Sequence, residues 1–320
     1  MTDDLEDDMQ LPKRVHIMEV GPRDGFQAEH DWIPTDKKIE IINALSKTGI
    51  KEIQATSFVH PKAVPQLADA EQVMTGIERA PGVKYQVLVP NMRGMQRAIA
   101  CRPDGVHLMM SVSESHNRSN GNKSIDESFA EFEQMVPAAI EAGIRPEAGM
   151  AVVFGCPFEG DVPRSQLQRV IDRYYELGLR RMSLGDTVGV ANPRQTYDIA
   201  AWLLDSYPDV EFTLHLHNTR DMALANVVAA MQAGMTHFDG AIGGLGGCPY
   251  APGATGNVST EDLVYMLSEM GVDTGIDIDG LIEVSRLLQT VVPHKLDSAL
   301  LKAGKRTDLK PAPKAQEKIG

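Results

Sequence analysis

The chain has 320 residues, 42% hydrophobic, 23% charged and 5% aromatic, with a formal net charge of −13. That composition belongs to a globular chain long enough for one large core, and its acidity excludes nucleic acid or an anionic membrane as the main partner, since both select a dominant basic surface. No run approaches the roughly 20 consecutive apolar residues of a membrane helix.

Strand-like runs recur along the chain with helical stretches between them, the rhythm of repeated βα units. They fall at His16 to Val20, Glu52 to Phe58, Tyr85 to Pro90, Gly105 to Val112, Glu147 to Phe154, Arg181 to Gly185, Glu211 to His217 and His237 to Ile242. Eight such strands close a (β/α)8 TIM barrel, the predicted fold. An open α/β sheet with a small second domain is the alternative. Between the strands, Thr35 to Thr48 and Asp126 to Ala142 carry apolar residues at helical spacing. Thr35 and Asp126 are the expected N-caps, and Gly49, Gly143, Gly178 and Gly234 are expected to close helices.

The expected layout is an acidic, disordered N-terminus over 1–13, a catalytic barrel over 14–275, a helical extension over 276–303 packed on the barrel, and a basic flexible tail over 304–320. The stretch from Ile276 to Lys302 reads as helical. The first ten residues hold five carboxylates where a targeting presequence would be basic, so a cytoplasmic location is expected. Cys101, Cys156 and Cys248 lack metal-finger spacing and read as thiols.

In such a barrel the working face lies at the carboxyl ends of the strands. Arg23 and Asp24 follow the first strand directly. His215 and His217 close the seventh and, being two apart, point to the same side. Asp24 offers a hard oxygen, the histidines two nitrogens, and Asn257, beyond the eighth strand, a neutral amide oxygen. One carboxylate with no thiolate suits Mg²⁺ or Mn²⁺, and such nitrogens also bind Zn²⁺ or Co²⁺. Arg23 beside a candidate ligand suits oxyanion stabilisation. Cys248 sits in a loop with Gly243, Gly244, Gly246, Gly247, Gly253 and Gly256, which suggests a lid that carries the thiol to the substrate. Glu261 opens the helix after that loop, where it would support the site from behind.

The chain also carries motifs by which it resembles the 3-hydroxy-3-methylglutaryl-CoA lyases, a family of metal-dependent TIM-barrel lyases related to Claisen-type synthases. The motifs are Val20-Gly-Pro-Arg-Asp-Gly25, Thr56-Ser-Phe-Val-His-Pro-Lys62, Gly155-Cys-Pro-Phe-Glu-Gly160, Ser183-Leu-Gly-Asp-Thr-Val-Gly189, Gly244-Leu-Gly-Gly-Cys-Pro-Tyr250 and Ala254-Thr-Gly-Asn-Val-Ser-Thr-Glu-Asp262. The resemblance runs from about Val15 to Gly275. It implies that Asp24, His215, His217 and Asn257 hold a divalent cation, that Arg23 faces the thioester oxygen, and that Cys248 is the mobile-loop acid. It places Gln27, Asn120 and Ser124 near the substrate, Lys295 near CoA, and Asp186 in support of the site.

Two positions depart from the family pattern. Gln54 stands where the family has a glutamate, and Gly149 where it usually has an active-site tyrosine. An amide takes no proton, and the absence of a ring predicts a larger or differently shaped acyl pocket. The resemblance therefore implies retro-Claisen cleavage of 3-hydroxy-3-methylglutaryl-CoA, or a close homologue, to acetyl-CoA and a 2- or 3-oxo acid. Alternative readings are a lyase for citramalyl-CoA or a longer alkylated hydroxyglutaryl-CoA, a Claisen synthase, and a non-catalytic binder of CoA esters. A homodimer, or a higher homo-oligomer, is expected.

Overall fold

The computed structural model describes residues 9–247 and 256–309. Eight parallel strands form one closed barrel in sequence order. They are β1 His16–Glu19, β2 Glu52–Ser57, β3 Lys84–Leu88, β4 Gly105–Ser111, β5 Arg145–Ala151, β6 Arg181–Asp186, β7 Glu211–Leu216 and β8 His237–Gly240. Closure is made by β8 on β1, in register from His16 with His237 to Glu19 with Gly240. Each strand lies within three residues of its predicted bounds. The fifth differs most at its end, because Val152 turns to φ +56° and its N–H leaves the ladder for Thr187 Oγ1 at 2.9 Å. A β-branched residue in that region is strained, which halts the strand short of the predicted Phe154.

Outside the strands lie α1 Thr35–Leu45, α2 Ala70–Gly76, α3 Met92–Cys101, α4 Glu114–Gly121, α5 Ile125–Glu141, α6 Arg164–Glu176, α7 Pro193–Ser206 and α8 Ala223–Gln232. The predicted caps are corrected at two helices. Pro34 precedes α1, and Thr35 is already helical, its hydroxyl donating to Asp69 Oδ2 at 2.7 Å. Ser124, not Asp126, caps α5. Its Oγ accepts from Glu127 N at 3.0 Å while Glu127 Oε2 accepts from Ser124 N at 2.7 Å. This reciprocal box satisfies two free donors, whereas Asp126 in the first turn only meets the helix dipole. Gly49, Gly143, Gly178 and Gly234 take positive φ at helix ends, as predicted. The short helix α4 was not foreseen.

After β8 come α9 Thr260–Glu269, α10 Ile278–Gln289 and α11 Ala299–Ala303. The predicted continuous helix from Ile276 to Lys302 is thus interrupted over 290–298, a stretch containing Pro293, which lacks the N–H a helix needs. α10 packs on α1 and α9. None of the described helices is long and apolar enough to cross a membrane.

Charged side chains close the amino end of the barrel. Arg181 donates to Glu52 Oε2 at 3.0 Å, to Glu147 Oε1 at 2.8 Å and to Glu211, and Arg145 lies 2.7 Å from Glu147. The candidate residues gather at the carboxyl end.

Candidate active site

β1 runs straight into a wide five-residue helical turn, Gly21–Gly25, in which Arg23 and Asp24 are both buried. Such turns are rare and frequent at functional sites. Glu19, the last residue of β1, anchors it. Its Oε1 accepts from Gly21 N at 2.7 Å and Ile242 N at 2.9 Å, and its Oε2 from Thr260 Oγ1 at 2.7 Å. One buried carboxyl thus ties the Arg23-Asp24 turn to the end of β8 and the start of α9. Sequence reasoning missed Glu19. The signal was there, a carboxylate in an otherwise half-apolar strand immediately before the Gly-Pro-Arg-Asp-Gly motif.

β7 delivers His215 and His217 to the same cavity. Their Nε2 atoms lie 3.3 Å apart, and each is 3.8 Å from Asp24 Oδ2. Among the described residues this is the one group of three or more such side chains whose ligand atoms all lie within 4.8 Å of one another. The donor set fits a divalent cation. His215 Nδ1 faces Asp239 Oδ2 at 3.1 Å, which leaves Nε2 for the centre of the cluster. Burial alone would raise Asp24, but the Arg23 guanidinium, both imidazoles and the bond from Asn257 hold its carboxyl well below the usual range. Burial and the neighbouring His215 depress His217 to about 4, the neutral form a metal ligand needs.

Asn257 pairs with His217 as an isolated bridge and donates from Nδ2 to Asp24 Oδ2 at 2.8 Å and to Leu245 O at 3.0 Å. Here it serves Asp24 as a donor. Offering oxygen to a cation instead takes only a flip of the amide, whose two ends differ little in shape. Arg23 is fixed from two sides, Nε donating to Gln54 Oε1 and Nη1 to Asp24 Oδ1. Gln54 therefore reaches the chemistry through Arg23, and it is almost wholly buried.

The surrounding cavity, about 570 Å³, runs from this cluster to α4 and α5. Gln27 and Asn120 line it, and Gln27 Nε2 donates to Asp24 Oδ1 at 3.0 Å. The remaining expected contacts sit elsewhere. Ser124 is occupied as the cap of α5, Gly149 is outside the wall, and Lys295 is exposed on the 290–298 segment and does not line the cavity. Met109, Ser183, Asn91 and Lys123 line it without having been anticipated. Cys248 lies outside the described residues. Its neighbour Gly247 lines the cavity.

Two further carboxyls act on backbone. Asp186 accepts from Val190 N at 2.9 Å and Ala191 N at 3.1 Å, fixing the turn after β6, and burial pushes it up to about 6. Glu261 accepts from Gly243 N at 3.0 Å and from Ser285 Oγ at 2.9 Å, pinning the chain just before the glycine-rich loop.

Comparison with known proteins agrees with this geometry. The hydroxymethylglutaryl-CoA lyase of Bacillus subtilis is 46% identical over 93% of this chain and 99% of its own. The mitochondrial hydroxymethylglutaryl-CoA lyase of Rattus norvegicus is 43% identical over 92% of this chain and 90% of its own. The structure of an HMG-CoA lyase from Acinetobacter baumannii, in complex with coenzyme A and 3-methylmalate, superposes with a TM-score of 0.91 at 43% identity, covering 97% of this chain and 100% of that one. The HMGL-like family model matches residues 14–288, and the protein belongs to that family of carbon–carbon lyases.

Proposed function

We propose that the protein cleaves 3-hydroxy-3-methylglutaryl-CoA, or a close homologue, to acetyl-CoA and an oxo acid. The observation that carries this reading is the Asp24–His215–His217 triangle with Arg23 beside it in one cavity. The relatives' names and the coenzyme A bound in the Acinetobacter structure support it.

Asp24, His215 and His217 would hold Mg²⁺ or Mn²⁺, with Asn257 as a fourth ligand. When bound, the cation supplies Lewis-acid activation of the substrate hydroxyl and carboxylate. Asp24 and His215 are the candidates to take the hydroxyl proton, and His215 could do so only while its Nε2 is off the cation, because its Nδ1 faces Asp239. As that proton leaves, the carbon–carbon bond breaks and its electron pair passes to the acetyl-CoA fragment as an enolate. Arg23, immobilised by Gln54 and Asp24, would stabilise the enolate oxygen. One such contact is typically worth about 3 to 4 kcal/mol in the transition state. Cys248 would then protonate the enolate carbon.

In this reading residues 14–275 form the catalytic barrel and 276–303 an extension packed on it, and the enzyme is a cytoplasmic homodimer. Incubating the purified protein with 3-hydroxy-3-methylglutaryl-CoA and Mg²⁺ or Mn²⁺, and measuring acetyl-CoA, tests the activity. Cation-dependent release is expected, and its absence with both metals, from this thioester and from its ethyl and propyl homologues alike, would refute the proposal.

A further inference from the structure

Gly149 lies inside β5, opposite Met109 in the register with β4. It does not take positive φ, so nothing in the backbone calls for glycine there. The space does. A β-carbon on residue 149 would stand 2.5 Å from His107 Nε2 and 2.9 Å from Met109 Cε, closer than real carbons approach.

Those two neighbours use the vacated volume differently. His107 is buried and does not line the cavity. Burial and the cations near it, Arg23 first, depress its imidazole to about 3, so it stays neutral. Met109 is half-buried, and its side chain both lies across the glycine and forms part of the wall that Asp24, His215 and His217 share. An unbranched thioether resting on a glycine is a pliant apolar surface.

The polar groups of a hydroxyacyl thioester are accounted for by the carboxylate–imidazole cluster and Arg23. What remains at the carbinol carbon is its alkyl substituent, and the apolar surface beside the cluster includes Met109. We propose that Met109, held over Gly149 as part of the cavity wall, is a specificity-determining residue that reads the size of this substituent. The proposal rests on the lyase reading and names the substrate class within it, 3-alkyl-3-hydroxyglutaryl-CoA thioesters.

The test compares kcat/KM for the methyl, ethyl and propyl thioesters in the Mn²⁺-loaded wild type and in Met109→Ala, Met109→Leu and Met109→Phe. A methylene in an apolar pocket is worth about tenfold or more, so the size of residue 109 should show in the ratios among these thioesters. Met109→Ala should raise the propyl-to-methyl ratio about tenfold and Met109→Phe lower it by a similar factor, with Met109→Leu, the closest in volume, near wild type. A ratio unchanged in all three variants, with cleavage of the methyl compound retained, would overturn the role of Met109 alone. No acetyl-CoA from any thioester would instead sink the lyase reading, and this proposal with it.

Discussion

His215 Nδ1 lies 3.1 Å from Asp239 Oδ2, and its other nitrogen faces His217 Nε2 at 3.3 Å. Asp239 therefore sets which nitrogen of His215 is left to bind a cation. Partners of this kind typically govern about 10- to 100-fold in metal affinity. Asp239→Asn should weaken Mn²⁺ binding by about that factor while the circular dichroism spectrum stays unchanged. Calorimetric titration reads the affinity directly, and an unaltered Kd would show that the pair does not orient the ligand.

Removing a ligand should separate binding from folding. At a free concentration about 100 times Kd, Mn²⁺ should stabilise the wild type by about 2.7 kcal/mol. Asp24→Ala and His215→Ala should show no such metal-dependent rise in melting temperature, and their turnover should fall by at least about two powers of ten. Cys248→Ser, the exchange of the proposed acid, should keep the metal-dependent rise and lose turnover. Chelation with EDTA should silence the wild type and Mn²⁺ restore it.

Gly149→Tyr would not simply fill an open pocket. The first carbon of the new side chain meets His107, so the substitution should cost about 1 to 3 kcal/mol as an overpacked core does. Adding His107→Ala should recover part of that loss, and a double-mutant cycle by urea denaturation measures the coupling. Additive effects would mean that the two positions do not compete for the same volume. Gln54→Glu is the simpler exchange. It places a carboxylate against the Arg23 guanidinium that Gln54 now holds, and a shift in kcat at constant stability would mark it as acting through Arg23.

Burial pushes the Glu19 carboxyl up to about 8 from an ordinary 4.5. Between those values the folded protein keeps a proton that the unfolded chain releases. The stability tied to that proton is complete below pH 4.5 and is lost as pH rises through about 8. Glu147, raised by burial to about 7, acts in the same direction. Glu19→Gln preserves the shape and stays neutral, so its melting temperature should fall less steeply across this range, with the residual slope belonging to other raised carboxyls such as Glu147 and Asp186. A slope equal to that of the wild type would show that Glu19 is ionised in the fold.

The barrel was legible because its information is local. Each strand is a short apolar run, each helix repeats at its own period, and Gly49, Gly143, Gly178 and Gly234 mark helix ends through a backbone preference that no neighbour has to supply. Asp24, His215 and His217 were legible for a related reason. Strand alternation and the barrel's polarity fix where their side chains must point, and the structure brings all three together.

Only the tertiary structure decided the rest. That Ser124 caps a helix depends on Glu127 one turn away. That Glu19 fastens the Arg23-Asp24 turn depends on Ile242 and Thr260, more than two hundred residues distant. Gly149 reads in sequence as a missing ring, whereas in space it is the room taken by His107 and Met109. Periodicity specifies which way a residue faces, but the partner it meets is set by close packing between segments that the sequence keeps apart.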